Sequence, residues 1–375
     1  MEILSLGSSV AYPFTELPQS LVKEMLNQCT GLSHELSTSF GNIINKKDNL
    51  REKLLEKNYL MKDTDFPNDL ELPTTCGVDG SFIIENLLSV DVLAVAGVAV
   101  EGLIPPKSTA EWERPHHLSK IYSISHSDST RQVAGALMMC MELELASKAP
   151  HNIVFFDGSL STPVVHFKKA LNALDNVPEI LKQEFLDQLP SAIKNYKKLL
   201  EYNGGKSYVG VPKYTTKKEI CKEFNMLRYE DRGLLSFVLE GGELIFPYKM
   251  DLQDVAIPIN STGKIFHDIE RLLNDSFVFY YRPSRSFPVI RLEIMKPIVT
   301  DQNQLSLLFQ TLKLQCDAPG MFEPFPLYLA DRMVKHLRVA LPALRKAATQ
   351  NMTRQWDGDV NNVYLAMHGY RSKWG

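Results

Sequence analysis

The chain has 375 residues, which is enough for two domains or for one elaborated α/β domain with a large buried core. Apolar residues make up 44% of it and charged residues 23%, as is ordinary for a globular protein. The net charge of only −3 excludes a globally basic surface, so any contact with nucleic acid must come from a local basic patch.

Cysteine usage and hydropathy predict a soluble protein of the reducing cytoplasm. The five cysteines are scattered and never form a Cys-x-x-Cys pair, which argues against a zinc ribbon or a disulfide framework. Residues 1–14 have neither the basic start nor the long apolar run of a signal peptide. The longest apolar run, 92–100, is too short to span a bilayer.

The first part of the chain reads as a helical region followed by a linker. Residues 14–62 have apolar positions three and four apart with lysines on the other face, which predicts helices. Residues 63–73 are rich in Asp and Pro and predict a linker. We therefore place an N-terminal helical region at 1–73, a core at 74–350 and a C-terminal tail at 351–375.

Beyond the linker the hydrophobic period changes to that of a sheet. Residues 76–102 contain short β-branched runs, which predict two or three consecutive antiparallel strands. Residues 129–149 predict a helix with Asp128 or Ser129 as its N-cap. Residues 151–160 form a nearly continuous apolar run, typical of a strand that is buried on both faces of a sheet.

Helices and short strands alternate in the middle of the chain. Residues 163–203 predict helices that end in a lysine-rich segment, so we place a helical insertion in the core at about 163–205. Residues 206–214 predict a short strand. Residues 276–283 and 287–297 predict a strand pair.

The last predicted element is a long helix at 324–350. Pro326 lies near its start, where proline is tolerated. Pro342 lies inside it and predicts a kink.

The tripeptide Asp-Gly-Ser occurs twice, beginning at Asp79 and at Asp157, each time beside an apolar run. A common turn preference explains a single copy. A carboxylate in a buried strand is costly to ionise unless it is paired or binds a cation. Two such carboxylates brought together repel each other unless a divalent metal neutralises both. Asp79 and Asp157 are therefore candidate metal ligands, with two ordinary turns as the alternative.

Two further groups of residues could join such a site. Glu142 and Glu144 lie two apart on an apolar helix and point to different faces, so at most one of them joins, the alternative being a solvated carboxylate. Tyr328, Arg332 and His336 lie at i, i+4 and i+8 of the last helix, roughly on one face. A packing tyrosine and an exposed histidine are the alternatives there.

In combination, these residues resemble the NurA family, nucleases that partner the hexameric HerA translocase in processing DNA ends. The resemblance rests on the strand-borne Val-Asp-Gly-Ser, a helix glutamate, a second strand ending in Asp-Gly-Ser-Leu, and a late helix with Tyr and His eight apart. It runs from about residue 74 to 340. It implies an α/β, RNase H-like fold, in which a mixed sheet is flanked by helices and its first and fourth strands are adjacent and parallel.

The resemblance also implies roles for single residues. Asp79 and Asp157 match the family's two strand acids, and Tyr328 and His336 match the aromatic and the histidine of its C-terminal helix. Lys213 resembles a family lysine near the active site.

The helix acid is Glu142 or Glu144. Glu142 fits better, because Ala146 four residues on matches a small position of the family, and Glu144 stays open.

A site of this kind implies a divalent metal. Asp79, Glu142, Asp157 and His336 would form an oxygen-rich cage for Mn²⁺ or Mg²⁺, with two ions suited to phosphodiester hydrolysis. The imidazole and the resemblance both favour Mn²⁺. Tyr328 would orient a phosphate or stack on a base.

The most basic stretch is 194–218, which holds seven lysines against the single acid Glu201, with four tyrosines six apart. Lysines for phosphates and aromatics for bases are what single-strand binding needs, whereas a solvated helix followed by a hairpin is the alternative. The candidate DNA contacts are Lys206, Lys213, Tyr214, Arg282, Arg285 and Arg332.

The resemblance implies a homodimer that encloses a DNA channel, with 5′→3′ exonuclease and single-strand endonuclease activity in DNA repair or defence. The N-terminal helices would then serve dimer or partner contacts. The sequence contains no phosphate-binding Gly-x-x-x-x-Gly-Lys-Ser/Thr loop, so a HerA-like ATPase must be a separate chain. The alternatives are an RNA-cleaving or structure-specific nuclease and a non-catalytic docking subunit.

Overall fold

The computed structural model describes residues 17–67, 70–202, 205–258, 263–318 and 320–368. Its strands are β1 (Leu60–Lys62), β2 (Thr75–Asn86), β3 (Asp91–Glu101), β4 (His116–Ile124), β5 (Ile153–Phe156), β6 (Ser207–Gly210), β7 (Glu243–Lys249), β8 (Ser276–Tyr281) and β9 (Ile290–Met295). Its helices are α1 (Gln19–Glu56), α2 (Thr130–Lys148), α3 (Thr162–Ala173), α4 (Glu179–Leu200), α5 (Glu219–Glu223), α6 (Asp231–Val238), α7 (His267–Leu273), α8 (Lys296–Thr300), α9 (Gln302–Gln315), α10 (Phe325–Lys335), α11 (Leu337–Gln355) and α12 (Val360–Ala366).

The strands form one mixed sheet in the order β1-β7-β8-β9-β6-β5-β2-β3-β4. The pairs β2–β5 and β5–β6 are parallel, and the other pairs are antiparallel. The part β4-β3-β2-β5-β6 confirms the predicted RNase H-like arrangement, because its first and fourth strands, β2 and β5, are adjacent and parallel. Helices flank this sheet, as predicted.

The strand β5 shows why the middle of the sheet is buried on both sides. Val154 and Phe156 belong to the core that includes α2, whereas Ile153 and Phe155 belong to the core that includes α9. Alternate side chains of a strand point to opposite faces of the sheet. Because both faces of β5 are buried, consecutive residues of this strand must all be apolar.

The packing of α10 on β2 depends on a glycine. A Cβ atom on Gly77 would lie 2.5 Å from the carbonyl carbon of Pro326, so no larger residue could stand there without moving the helix. This close approach brings α10 over the strand that carries Asp79.

Two local predictions were wrong. Residues 60–62 form β1 and not a helix, because they pair with β7, and that pairing overrides the local helical pattern. The helix predicted at 324–350 is two helices, α10 and α11, that meet at His336. Pro342 lies inside α11, and the kink expected there stays a prediction.

Both ends of the chain extend beyond what the structure describes. Residues 1–16 and residues 369–375 of the tail lie outside the described residues. The prediction about a signal peptide concerns the first of these two segments. The described part of the tail is largely helical, in the end of α11 and in α12. Among the described residues, no helix has both the length and the apolar character needed to cross a membrane.

Candidate metal centre

Three aspartates from three elements converge at one end of β5. Asp79 lies on β2, Asp157 directly follows β5, and Asp331 lies on α10. Each offers one carboxylate oxygen, and these oxygens lie within 4.8 Å of one another. The Asp157 N–H donates to the carbonyl of Val78 at 3.3 Å, which fixes the two strand acids in neighbouring positions.

The carboxyl group of Asp79 is costly to ionise in this position. Burial and the neighbouring Asp157 raise its pKa to about 8, although Lys213 and the N–H of Gly80 act in the opposite direction. The Gly80 N–H donates to Asp79 Oδ1 at 2.8 Å. A carboxyl group held this way binds either a proton or a cation near neutral pH.

Glu142, on α2, points into the same region. Its carboxylate lies against Gly80, where any side chain would overlap Oε1. The residue is only 1% exposed, and Oε2 has no hydrogen-bond partner among the described residues. Burial raises its pKa well above the usual value, and Asp79 and Asp157 raise it further. Glu144, in contrast, is 42% exposed and pairs with Lys148 at 2.5 Å, on the outer face of the helix.

Lys213 supplies the positive charge that faces these acids. Its Nζ lies 2.8 Å from Asp157 Oδ2, 2.8 Å from Glu323 Oε2 and 2.9 Å from Asp331 Oδ1. Burial alone would lower the pKa of Lys213, but Asp157 and the other carboxylates raise it above its usual value. Asp331 Oδ2 is also paired with Lys335 at 2.6 Å, and these two lysines hold the pKa of Asp331 below its usual value against the effect of burial.

A comparison with known protein families places these carboxylates in a known domain. Residues 73–336 match the model of the NurA domain. The chain belongs to the NurA family. The match spans more than half of the chain and includes every carboxylate of the centre described above.

Solved NurA structures share the fold. The NurA nuclease from Sulfolobus solfataricus is 16% identical, with a TM-score of 0.63, over 89% of this chain and 98% of that one. A second NurA structure is 14% identical, with a TM-score of 0.51, over 84% and 97%. A NurA structure with manganese is 13% identical, with a TM-score of 0.50, over 84% and 98%. No curated protein matches the chain.

Asp331 and Glu323 were missed by sequence reasoning. Asp331 lies three residues after Tyr328, on the helix already singled out, so its spacing was visible in the sequence. Neither residue belongs to a recognisable motif. Which face of α10 meets the sheet is decided by the close packing at Gly77, and that packing is not apparent from a hydrophobic pattern.

His336 is not part of the converging group in this NurA chain, and its role as a metal ligand stays a prediction. It is exposed at the end of α10, and the converging oxygens belong to aspartates alone among the described residues. The sequence expectation placed it on the face of Tyr328, and in the structure it is the residue that joins α10 to α11. Tyr328 is partly exposed, and its hydroxyl accepts from Arg332 Nη1 at 3.3 Å.

The expected DNA contacts fall into two groups. Lys206 donates to the carbonyl of Ala149 at the start of β6, the end away from Asp157. Arg282 donates to the carbonyls of Phe287, Leu239 and Arg285 and so stabilises its own turn. Tyr214 (96% exposed), Arg285 and Arg332 lie at the surface, and Arg332 also donates to the hydroxyl of Tyr328.

The basic stretch 194–218 is partly neutralised by the fold. Lys197 pairs with Asp268 at 2.9 Å and Lys217 with Asp254 at 2.8 Å. A different basic segment begins beside the centre, because residues 332–356 contain no Asp or Glu. Its cationic residues are Arg332, Lys335, Arg338, Arg345, Lys346 and Arg354.

Proposed function

We propose that this protein is a divalent-metal-dependent deoxyribonuclease of the NurA type. The observation that carries the proposal is the convergence of Asp79, Asp157 and Asp331 within 4.8 Å, just beyond the last parallel pair of β2 and β5, Val78 with Phe156. The donor set consists of oxygens, which suits Mn²⁺ or Mg²⁺. A cation at this position would stabilise the charged form of Asp79, whose pKa is raised, and would give the unpartnered oxygen of Glu142 a ligand to bind. The family structure with manganese supports Mn²⁺.

In this proposal the chain's acids hold the metal. Asp79, Asp157 and Asp331 would bind the metal directly, and Glu142 would add a fourth carboxylate. Asp331 would thus take the ligand position that the sequence assigned to His336. Two bound ions would lower the pKa of an attacking water and neutralise charge on the scissile phosphate.

The remaining residues bind and orient the substrate. The ammonium of Lys213 lies among the metal-facing carboxylates, so it is available to a phosphate oxygen once those carboxylates are neutralised. Tyr328 and Arg332 lie on the face of α10 that also carries Asp331, where an aromatic ring and a guanidinium suit a base and a phosphate. We propose 5′→3′ exonuclease and single-strand endonuclease activity.

We further propose that the protein acts in the cytoplasm as a homodimer with a HerA-like hexameric ATPase, in DNA repair or defence. Helix α1 supports the dimer, because its first part is exposed along its length and carries an apolar stripe. The proposed complex with the ATPase is checked by size-exclusion chromatography, on which we expect the two proteins to elute together. Separate elution in the presence of ATP and DNA would contradict this complex.

The nuclease proposal is tested by cleavage of labelled single-stranded DNA in the presence of Mn²⁺. We expect Asp157→Asn, Asp331→Asn and Glu142→Gln to lower the rate by at least about a hundredfold, since each removes a charge that the metal needs. Glu144→Gln is the matched control, because it makes the same change two residues away on the outer face of α2.

The outcomes separate the rival functions. Loss of activity in Glu144→Gln but not in Glu142→Gln would overturn the ligand assignment. Faster cleavage of RNA than of DNA would make the protein a ribonuclease. Intact DNA with the wild-type protein and Mn²⁺, alone and with its ATPase, would make it a non-catalytic subunit.

A further inference from the structure

The second Asp-Gly-Ser turn is held from outside by Glu293 on β9. Oε2 of Glu293 accepts the hydroxyl of Ser159 at 2.6 Å and the N–H of Leu160 at 2.8 Å. Glu293 is 2% exposed, so these bonds are formed away from bulk water. The turn that delivers Asp157 is therefore fastened to a strand that carries none of the converging aspartates.

Glu293 is itself held by a buried arginine. The Nε of Arg291 donates to Glu293 Oε1 at 2.9 Å, and the arginine side chain has no exposed surface. Its Nη1 lies 3.0 Å from each carboxylate oxygen of Glu219 and 2.6 Å from the hydroxyl of Tyr280. Arg291 and Glu293 are two apart on one strand and so share a face. A chain of charged groups thus runs from α5 through β9 to the turn.

The turn needs such support because of its backbone. Gly158 has a φ of +141°, a conformation that other residues rarely adopt. A Cβ on Gly210 of β6 would lie 3.0 Å from the carbonyl oxygen of Gly158, so the neighbouring strand approaches the turn closely. Gly210 is also the residue of β6 that pairs with Glu293. The conformation that aims Asp157 is thus set by β6 and β9.

A buried ion pair is a weak source of stability, since desolvation of its two charges offsets most of their attraction. Stability alone therefore does not explain the pair Arg291–Glu293. Among the described residues, the hydrogen bonds that the Glu293 side chain accepts besides that of Arg291 all come from the turn.

We propose that Glu293, held by Arg291, is a positioning residue that sets the orientation of the Asp157 carboxylate for metal binding. The inference rests on the proposed function, in which Asp157 is a metal ligand. Glu293 acts through the turn and touches neither metal nor DNA. Groups that orient metal ligands in this way typically contribute tenfold to a hundredfold in metal affinity or activity.

The test measures Mn²⁺ affinity directly, by isothermal titration calorimetry, and kcat and KM separately on single-stranded DNA. We expect Glu293→Ala to weaken Mn²⁺ binding about tenfold and to lower kcat by a similar factor, with KM for DNA unchanged. Ser159→Ala removes one of the two bonds to the turn and should have a smaller effect in the same direction. Glu293→Gln should be intermediate, because an amide can satisfy the turn or the arginine but not both.

Glu243 on β7 offers a matched control. It is also 2% exposed, is paired with Arg51 at 2.7 Å, and accepts the N–H of Glu240 at 2.6 Å. Glu243→Gln therefore breaks an equivalent buried pair in the same sheet without touching the turn. We expect it to lower the melting temperature and to leave Mn²⁺ affinity unchanged.

The outcomes are distinct. Wild-type Mn²⁺ affinity in both Glu293→Gln and Ser159→Ala would overturn the inference, as would an equal loss in Glu243→Gln. These two milder variants decide the matter if Glu293→Ala does not fold. Absence of Mn²⁺ binding by the wild-type protein would instead overturn the proposed function.

Discussion

Lys213 lies where a metal ion would be expected to bring the acids together. Its ammonium contacts carboxylates of Asp157, Glu323 and Asp331 at 2.8–2.9 Å. Without a cation these groups would repel one another in a partly buried site. The lysine thus stabilises the metal-free form, and a bound metal must compete with it for the same oxygens.

Removing this lysine should make the fold more dependent on metal. We predict that Lys213→Met lowers the free energy of unfolding without metal by about 3 kcal/mol, since it leaves carboxylates without their counter-ion. Added Mn²⁺ should then raise the melting temperature more than it does in the wild-type protein. Thermal unfolding with and without Mn²⁺ measures both effects.

Lys335→Met is the control for this prediction. Lys335 pairs with Asp331 at 2.6 Å but its side chain is 71% exposed, and an exposed pair contributes little. An equal Mn²⁺-induced shift in Lys213→Met and in the wild-type protein would show that lysine and metal do not compete.

At the level of single residues, the sequence predicted acids that sit in strongly patterned segments. Asp79 lies within an apolar strand, Asp157 directly follows one, and Glu142 lies within an apolar helix. The apolar residues around each acid predict its burial. Asp331 and Glu323 sit at the edge of such patterns, and their roles follow from how α10 docks on the sheet. That docking is a tertiary contact that the local sequence does not encode in a readable form.

At the level of elements, helix α11 carries basic residues and directly follows α10, the helix that carries Asp331. Arg338 and Lys346 are exposed and form no ion pair among the described residues, whereas Arg345 pairs with Glu85. A single strand that enters the centre along α10 would meet these charges next. This surface is better placed than 194–198, which lies on α4 near the opposite end of β6.

We predict that Arg338→Ala with Lys346→Ala weakens binding of single-stranded DNA and flattens its salt dependence. Each lost phosphate contact lowers the slope of log K against log salt by about 0.7, so the double variant should lose about 1.4. Binding is measured in the Asp157→Asn background without Mn²⁺, so that no cleavage occurs.

Lys194→Ala with Lys198→Ala is the matched control, since it removes two exposed charges from the stretch that the sequence favoured. We expect its salt slope to equal that of the wild-type protein. The reverse pattern would return the DNA path to α4.

Helix α1 carries one apolar face that is only half covered. Ile43, Leu50 and Leu54 are buried against the body of the chain, and at 100° per residue the exposed Leu32 and Leu36 lie on the same face. Residues 25–45 contain no Lys or Arg and one acid, Glu35. In a second copy the same face would be equally apolar and uncharged. The two helices could therefore pack together without repulsion between like charges.

We predict that Leu32→Asp with Leu36→Asp converts a dimer to a monomer, as measured by sedimentation or light scattering. His34→Asp with Thr38→Asp adds the same charges on the opposite face and should leave the dimer intact. A dimer that survives both double variants would place the interface elsewhere on the chain.

At the level of the whole molecule, the sequence predicted the central part of the sheet better than its outer part. The strands β2, β3 and β5 and helix α2 follow from strong local periodicity, and they include the adjacent parallel pair of the RNase H-like core. The strand β4 was not predicted, because it lies in 116–124, beyond the apolar runs of 76–102. The pairing of β1 with β7 and the contact of α1 with α6 join segments far apart in the chain. The local sequence of one segment does not indicate which distant segment it will contact, so these contacts could not be predicted.

A buried histidine lies just before β5, and we expect it to make the stability of the fold depend on pH. Nε2 of His151 lies 3.0 Å from Glu101 Oε1, and the ring of Trp112 packs edge-on at 4.5 Å. The side chain has no exposed surface. Burial lowers the pKa of His151 below its usual value, although Glu101 partly offsets this effect.

The sign of the dependence follows from the lowered pKa. Below about pH 6.5 the unfolded chain binds a proton at His151 that the folded chain does not. The stability that neutral His151 contributes is therefore fully present above that pH and is lost as the pH falls towards the folded pKa, by at most about 1.4 kcal/mol per pH unit.

We predict that His151→Gln removes the contribution of His151 to the loss of stability at low pH, as measured by urea unfolding at pH 7.5 and 5.5. His117→Gln, at an exposed position of β4, should keep the wild-type difference. A His151→Gln variant that loses as much stability as the wild-type protein over this range would show that His151 is already protonated when folded, and that its contact with Glu101 outweighs its burial.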